Sequence, residues 1–254
     1  MFTFSHAGRM GDVLYGLYWA TRISRPDRFR LILRTGVSAW DPSGRPHMME
    51  PDDAAFLRPL LEAQPYLESV SVIGRGEKLP PECVELDSFR RNMSSVIGKE
   101  IRSWYYPRGP LPPGEFDRPV LNVPPVQEHF DRLAVCFTPR YREAFDVSAA
   151  LMPYRNSILF VGLPEEHAAF CRSHFEVEYF RTENALELLR VMASCRAFVG
   201  NVSGTFAIAE CAKVRRVLCL APDRGNVRVC GSGAEASNAA QLQTELKTIM
   251  EKQT

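Results

Sequence analysis

Residues able to do chemistry gather at a few places in the chain. Gly200-Asn201-Val202-Ser203-Gly204-Thr205 is small and polar, set between the apolar run Ala197-Phe198-Val199 and the alanine-rich Phe206–Ala212. Serine and threonine hydroxyls donate to phosphate oxygens, glycine lets a backbone approach a ligand, and a helix opening just beyond offers N–H groups to an anion. Gly200, Asn201, Ser203, Gly204 and Thr205 are therefore candidate anion-binding residues. The competing reading is that Ser203 or Thr205 only caps the helix. No Gly-Lys-Ser/Thr follows, so this is not a Walker A loop. Farther into the same helix, Glu210 either binds a ribose or an amine or faces solvent.

Near the N-terminus, Gly11-Asp12 follows an apolar start and precedes an apolar, aromatic run. Asp12 is placed either to accept a proton from a hydroxyl or to cap the helix after it, and the two uses compete for one carboxylate. His6 lies in the same stretch and either assists there or is a loop histidine. Arg140-Tyr141-Arg142 brings two guanidinium groups together; arginine grips phosphate bidentately, and the alternative is a solvated basic turn. Arg102 and Tyr105, within Arg102-Ser103-Trp104-Tyr105-Tyr106, either stack on a sugar or base or close a packed segment. His167 and His174 fall two helical turns apart, about 10 Å, too far to share a metal without a third ligand between them. No metal site is expected.

These residues need elements to hold them. Strands are expected at Met1–Phe4, Phe29–Leu33, Ser69–Ile73, Val84–Leu86, Leu133–Phe137, Ser157–Val161, Val177–Phe180, Ala197–Val199 and Val217–Leu220. Helices are expected over Val13–Ile23, Asp52–Leu61, within Phe89–Trp104, and over Pro164–Phe175, Asn184–Ser194, Phe206–Ala212 and Ser237–Met250. Strands alternating with helices call for a parallel sheet. Seven prolines fall between Pro107 and Pro125, which forbids regular structure through most of that stretch. A division into an N-terminal domain, 1–130, and a C-terminal domain, 131–254, follows.

The chain has 254 residues, 45% hydrophobic, with a formal net charge of +1. That suits one large α/β domain or two small ones and gives no electrostatic signal for nucleic acid. The seven cysteines are odd in number, form no C-x-x-C pair and sit largely in apolar runs, as expected of a reduced cytoplasmic protein. No stretch has the apolar length of a membrane span, and the N-terminal residues lack the charged start of a signal peptide. A nicotinamide dinucleotide fold would need G-x-G-x-x-G; only Gly8 and Gly11 are present at the first turn.

Taken together, Gly11-Asp12-Val13-Leu14-Tyr15-Gly16-Leu17 and Phe198-Val199-Gly200-Asn201-Val202-Ser203-Gly204-Thr205, with Ala207-Ile208-Ala209-Glu210 behind it, resemble the motifs of the GT-B glycosyltransferases, in particular the ADP-heptose/lipopolysaccharide heptosyltransferase-like group. Thr138-Pro139-Arg140-Tyr141-Arg142, and Phe160-Val161-Gly162 with Glu165 and Glu166, fit the same pattern. The resemblance implies two Rossmann-like domains facing each other across a cleft, in compact form. It implies transfer of a sugar from a nucleotide-diphosphate donor to an acceptor hydroxyl, inverting and metal-independent, with no permanently bound cofactor. Asp12 would be the base, with His6 beside it. Gly200, Asn201, Ser203, Gly204, Thr205, Arg140, Arg142 and Glu210 would serve the donor. Gly11, Arg102 and Tyr105 would lie on the acceptor side, held mostly by residues 36–110. A nucleotide-sugar epimerase and a non-catalytic nucleotide- or partner-binding protein are the rival readings.

Overall fold

In a computed structural model the protein is described over residues 1–37, 48–96, 98–108, 111–112, 114–123, 126, 130–139, 145–220 and 226–251. The chain divides into two compact units, Met1–Glu115 with Asn184–Leu186, and Phe116–Glu183 with Glu187–Thr254. The change falls inside the proline-rich stretch, earlier than residue 130. The reason is local: the Val120 and Leu121 N–H groups both donate to the Cys211 carbonyl, so this segment is fastened to the second unit's interior.

The first unit carries a parallel sheet of β1 (Thr3–His6), β2 (Phe29–Arg34), β3 (Leu67–Ile73) and β4 (Val84–Glu85), in the order β3-β2-β1-β4. Helices α1 (Met10–Ser24) and α2 (Pro51–Glu62) make the first two crossovers. Phe4, Phe29, Leu31, Leu33, Leu14, Leu17 and Leu57 are wholly buried. At about 1.5–3 kcal/mol for each such side chain, this core sets the fold. β1 runs past Phe4 to His6, and side chains two apart share a sheet face. His6 is thus a strand residue turned the same way as Phe4, not a loop histidine. The helix expected within Phe89–Trp104 is instead two 3₁₀ stretches, Ser88–Ser95 and Ile101–Arg108. The first has the sequence Ser-Phe-Arg-Arg-Asn-Met-Ser-Ser, and serine and asparagine have low α-helix propensity. Gly98, at φ +76°, turns the chain between them.

The second unit carries β5 (Phe130–Cys136), β6 (Ile158–Phe160), β7 (Glu178–Tyr179), β8 (Cys195–Gly200), β9 (Arg216–Cys219) and β10 (Ala234–Ala236), all parallel, in the order β10-β9-β8-β5-β6-β7. Helices α3 (Ser148–Leu151), α4 (Pro164–Ser173), α5 (Ala185–Ser194), α6 (Gly204–Ala212) and α7 (Ala239–Glu251) accompany them. Leu133, Val135, Phe160, Val199, Val217, Leu242 and Leu246 belong to its continuous core. β10 escaped the sequence reading because Ala234-Glu235-Ala236 has no strand signature; β9 recruits it by register, Ala234 opposite Val217.

Strand order reverses once in each unit. In the first, the chain steps from β1 outward to β3 and returns to place β4 on the other side of β1. In the second it steps from β5 to β7 and returns to place β8 beside β5. Loops leaving the carboxyl ends of such strand pairs diverge, and ligands of open α/β sheets bind there. The β1/β4 and β5/β8 pairs are the positions to search.

Candidate active site

At the β1/β4 position, α1 begins at Met10, two residues before Asp12, so Asp12 is not the cap residue but the third of the first turn. One of its oxygens, Oδ2, accepts from the Arg9 N–H at 3.0 Å and also pairs with the Arg90 guanidinium. Arg90 stands just past β4, on the returning side of the reversal. Among the described residues no donor meets Oδ1. The two readings of Asp12 are therefore divided between its two oxygens: Oδ2 steadies the helix start, as an acidic residue in a capping box does, and Oδ1 remains available as an acceptor. Asp87 anchors the same turn, its Oδ2 taking the Ala7 N–H at 3.1 Å.

His6 is fully buried. Its Nδ1 accepts from the Gly8 N–H at 2.8 Å, and its Nε2 lies 3.1 Å from the Tyr105 hydroxyl. Tyr105 is buried too, and its hydroxyl donates to the Asp12 carbonyl. Both side chains are buried: Tyr105 follows the packed-segment alternative, and His6, offered as an assisting or a loop residue, sits on a buried strand. Arg102 is half-buried and pairs with Glu100. Gly11 lies in the first turn of α1, next to Asp12. Gly8 has a role that spacing alone did not reveal: a Cβ there would sit 2.5 Å from His6 Cε1 and 2.8 Å from Asp12 Oδ2.

At the β5/β8 position, Asn201 holds both strand ends. Its Oδ1 accepts from the Thr138 N–H and its Nδ2 donates to the Thr138 carbonyl, each at 2.9 Å. Gly200 is glycine because a Cβ would lie 2.4 Å from the Cys136 carbonyl oxygen. The space is filled by the neighbouring strand and not by a ligand, as the sequence reading had it. Ser203 is the N-cap of α6, accepting the Phe206 N–H at 3.0 Å, and the Ala207 N–H returns to the Ser203 carbonyl. That leaves the N–H groups of Gly204 and Thr205 with no acceptor among the described residues. The helix start keeps two directed donors and the positive end of its dipole. Arg140 and Arg142 lie outside the described residues.

Glu210 is not at this edge. It lies toward the C-terminal end of α6, 2% exposed, with one oxygen on Arg216 and the other on Lys213 and the Cys230 N–H. Arg216 begins β9, at the opposite end of the sheet from the helix start. The expected contact with a ribose or sugar hydroxyl gives way to an internal ion cluster.

No family model matches the sequence, and no curated protein does. Among solved structures, a glycosyl transferase family 9 protein from Veillonella parvula DSM 2008 superposes with a TM-score of 0.59 at 10% identity, over 99% of this chain and 97% of that one. The chain has the fold of a family 9 glycosyl transferase. The E. coli heptosyltransferase WaaC with ADP-2-deoxy-2-fluoro heptose gives a TM-score of 0.47 at 12% identity, over 99% of each chain.

Within this GT-B fold, Cys136 and Cys195 are poorly placed to act as nucleophiles. Burial pushes the Cys136 thiol well above its ordinary value, with nearby Glu166 adding to the effect, and pushes Cys195 up to about 11, so neither is a thiolate near neutral pH. None of the seven cysteines forms a disulfide. Among the described residues no three His, Cys, Asp or Glu side chains converge as metal ligands, and no helix is long and apolar enough to cross a membrane.

Two predictions arise here. Gly200→Ala forces β5 and β8 apart and is expected to cost about 1–3 kcal/mol in urea unfolding; an unchanged midpoint would show that the backbone yields freely. The second concerns pH. Burial lowers the pKa of His6 below 6.5 against the opposing pull of Asp87 and Asp12. The unfolded chain then binds a proton that the folded chain does not. His6 therefore costs stability as pH falls below 6.5 toward its folded value, at a limiting slope of about 1.4 kcal/mol per pH unit. Urea titrations across that window should show the slope, and His6→Asn should lack it.

Proposed function

We propose that this protein is a glycosyltransferase that moves a sugar from a nucleotide-diphosphate donor to an acceptor hydroxyl. The observation that carries the reading is the divided carboxylate of Asp12: Oδ2 is fixed by Arg9 and Arg90 while Oδ1 faces no donor among the described residues, at the strand reversal of the first unit. In this reading Oδ1 takes the acceptor's hydroxyl proton. The hydroxyl oxygen attacks the anomeric carbon and the bond to the diphosphate breaks. Its electron pair leaves with the diphosphate, and the configuration inverts. The Gly204 and Thr205 N–H groups and the α6 dipole stabilise the developing charge, with the Ser203 hydroxyl beside them, while the Thr205 hydroxyl bonds the Cys136 thiol. Arg140 and Arg142 belong to the same donor role by sequence. Because fixed dipoles and guanidinium groups offset the leaving charge, the step is proposed to need no metal.

The test is turnover of a panel of ADP-, UDP-, GDP- and TDP-sugars in EDTA, followed by amide spectra with the matching nucleoside diphosphate. Release of one nucleotide, with shifts centred on Gly204 and Thr205, is the expected result. Nucleotide binding that leaves those amides unmoved would overturn the donor assignment, and turnover that collapses in EDTA would overturn the metal-independent step.

A further inference from the structure

We propose that His6 and Tyr105 form a buried one-way hydrogen-bond relay that positions Asp12, and that they are positioning residues for the transfer reaction. The proposal rests on the reading of Asp12 as the base. Its direction is fixed at both ends, by the Gly8 N–H, which can only donate, and by the Asp12 carbonyl, which can only accept. The Gly8 N–H can only donate, so His6 Nδ1, 2.8 Å away, must present a lone pair. The proton of the neutral ring is then on Nε2, which donates to Tyr105 Oη at 3.1 Å. The Tyr105 hydroxyl in turn donates a hydrogen bond to the Asp12 carbonyl. Gly8, His6, Tyr105 and Asp12 are thus joined in a single donor-to-acceptor sequence, and reversal at any member would set two donors or two acceptors face to face.

The relay spans three elements: the end of β1, the first turn of α1, and the Ile101–Arg108 stretch. Gly16, one turn along α1 from Asp12, makes room for it. A Cβ there would come within 3.3 Å of both His6 Cδ2 and Tyr105 Cε1. Phe89 packs edge-on against the Tyr105 ring, with centroids 5.3 Å apart, and holds it against the helix. The Asp12 carboxylate is fixed by Arg9 and Arg90, and its backbone is fixed by Tyr105. A base anchored at both ends keeps Oδ1 in one place, and small displacements of a reacting group are costly in rate. The relay needs an uncharged imidazole, since a proton on Nδ1 would oppose the Gly8 N–H. Burial holds the ring neutral, with Asp87, Asp12 and Arg90 as the charged groups around it.

Two measurements test this. Long-range nitrogen–proton spectra of histidine-labelled protein at neutral pH should show His6 as the neutral tautomer protonated on Nε2; a ring protonated on Nδ1 overturns the relay without reference to activity. Tyr105→Phe removes only the hydroxyl. With whichever sugar nucleotide of the panel turns over fastest, kcat is expected to fall about 10- to 100-fold while KM for that donor stays within about twofold. The asparagine and glutamine variants of His6 separate the two links, since Asn keeps the acceptor toward Gly8 and Gln keeps the donor toward Tyr105. Gln should retain more activity than Asn. Full kcat in Tyr105→Phe alongside an inactive Asp12→Asn sinks the relay and leaves the base. Full kcat in Asp12→Asn sinks the base itself.

Discussion

Asp12→Asn is expected to lower turnover by about 10²- to 10⁴-fold, the usual contribution of a positioned general base. The size of the side chain is unchanged, so the loss comes from chemistry and not from packing. The Arg9 N–H and the Arg90 guanidinium both donate to Oδ2. An amide in this place must therefore turn its carbonyl oxygen toward them, which leaves its NH₂ where Oδ1 stood. A donor then occupies the position from which the base should accept. The substitution also removes the negative partner of Arg90, whose side chain is only 11% exposed, so the variant should unfold more easily. Rates belong well below its unfolding midpoint. Asp12→Glu supplies the control: it restores charge but displaces the oxygen, and should fall between wild type and Asn. Nucleotide affinity should be unchanged in both. An Asn variant that keeps more than about a tenth of the wild-type rate would remove Asp12 from the reaction.

The sequence made the scaffold of this site readable, and the division of labour within it much less so. Strand-turn-helix-strand over residues 197–220 could be read from hydrophobic runs and one polar break, since a parallel strand buried on both faces leaves such a run. The strand ends were harder. Ending β1 at Phe4 put His6 in a loop, whereas the structure carries the strand to His6 and buries its side chain. Gly200 shows the same limit. Its type signals close approach, but only the register of β5 against β8 says that the approaching atom is the Cys136 carbonyl. Arg90 and Asp87 were missed because their significance is topological. They lie nearly eighty residues from the Asp12 turn, and only the return of β4 to the far side of β1 brings them to it. A cue did exist in Gly8 and Gly16, which flank Asp12 by four residues each and make room for His6, Tyr105 and Asp12 itself.

Glu210→Ala carries the largest expected effect on stability, about 3–5 kcal/mol, because it strands a buried cation. Arg216 is 1% exposed; its Nε pairs with Glu210, and its other nitrogens donate to the carbonyls of Val214 and Cys230. Those carbonyls satisfy hydrogen bonds but not charge. Lys213 loses a partner at the same time, and the Cys230 N–H loses its acceptor. The segment through Cys230 leads into β10, so its loosening should reach the edge of the second sheet first and appear as early amide exchange at Ala234–Ala236. Removing both charges is a different experiment. In Glu210→Met/Arg216→Met the Arg216 charge is no longer stranded and only Lys213 loses an ionic partner, and well-packed apolar replacements of buried pairs are often neutral. The double variant should therefore be more stable than Glu210→Ala, a sign that additive losses cannot produce. Urea unfolding at neutral pH measures all of this. The same series separates the two roles considered for Glu210. As a cluster residue it should leave nucleotide affinity intact in protein that is still folded. A ribose contact would lose affinity at unchanged stability, and that outcome would return Glu210 to the donor site.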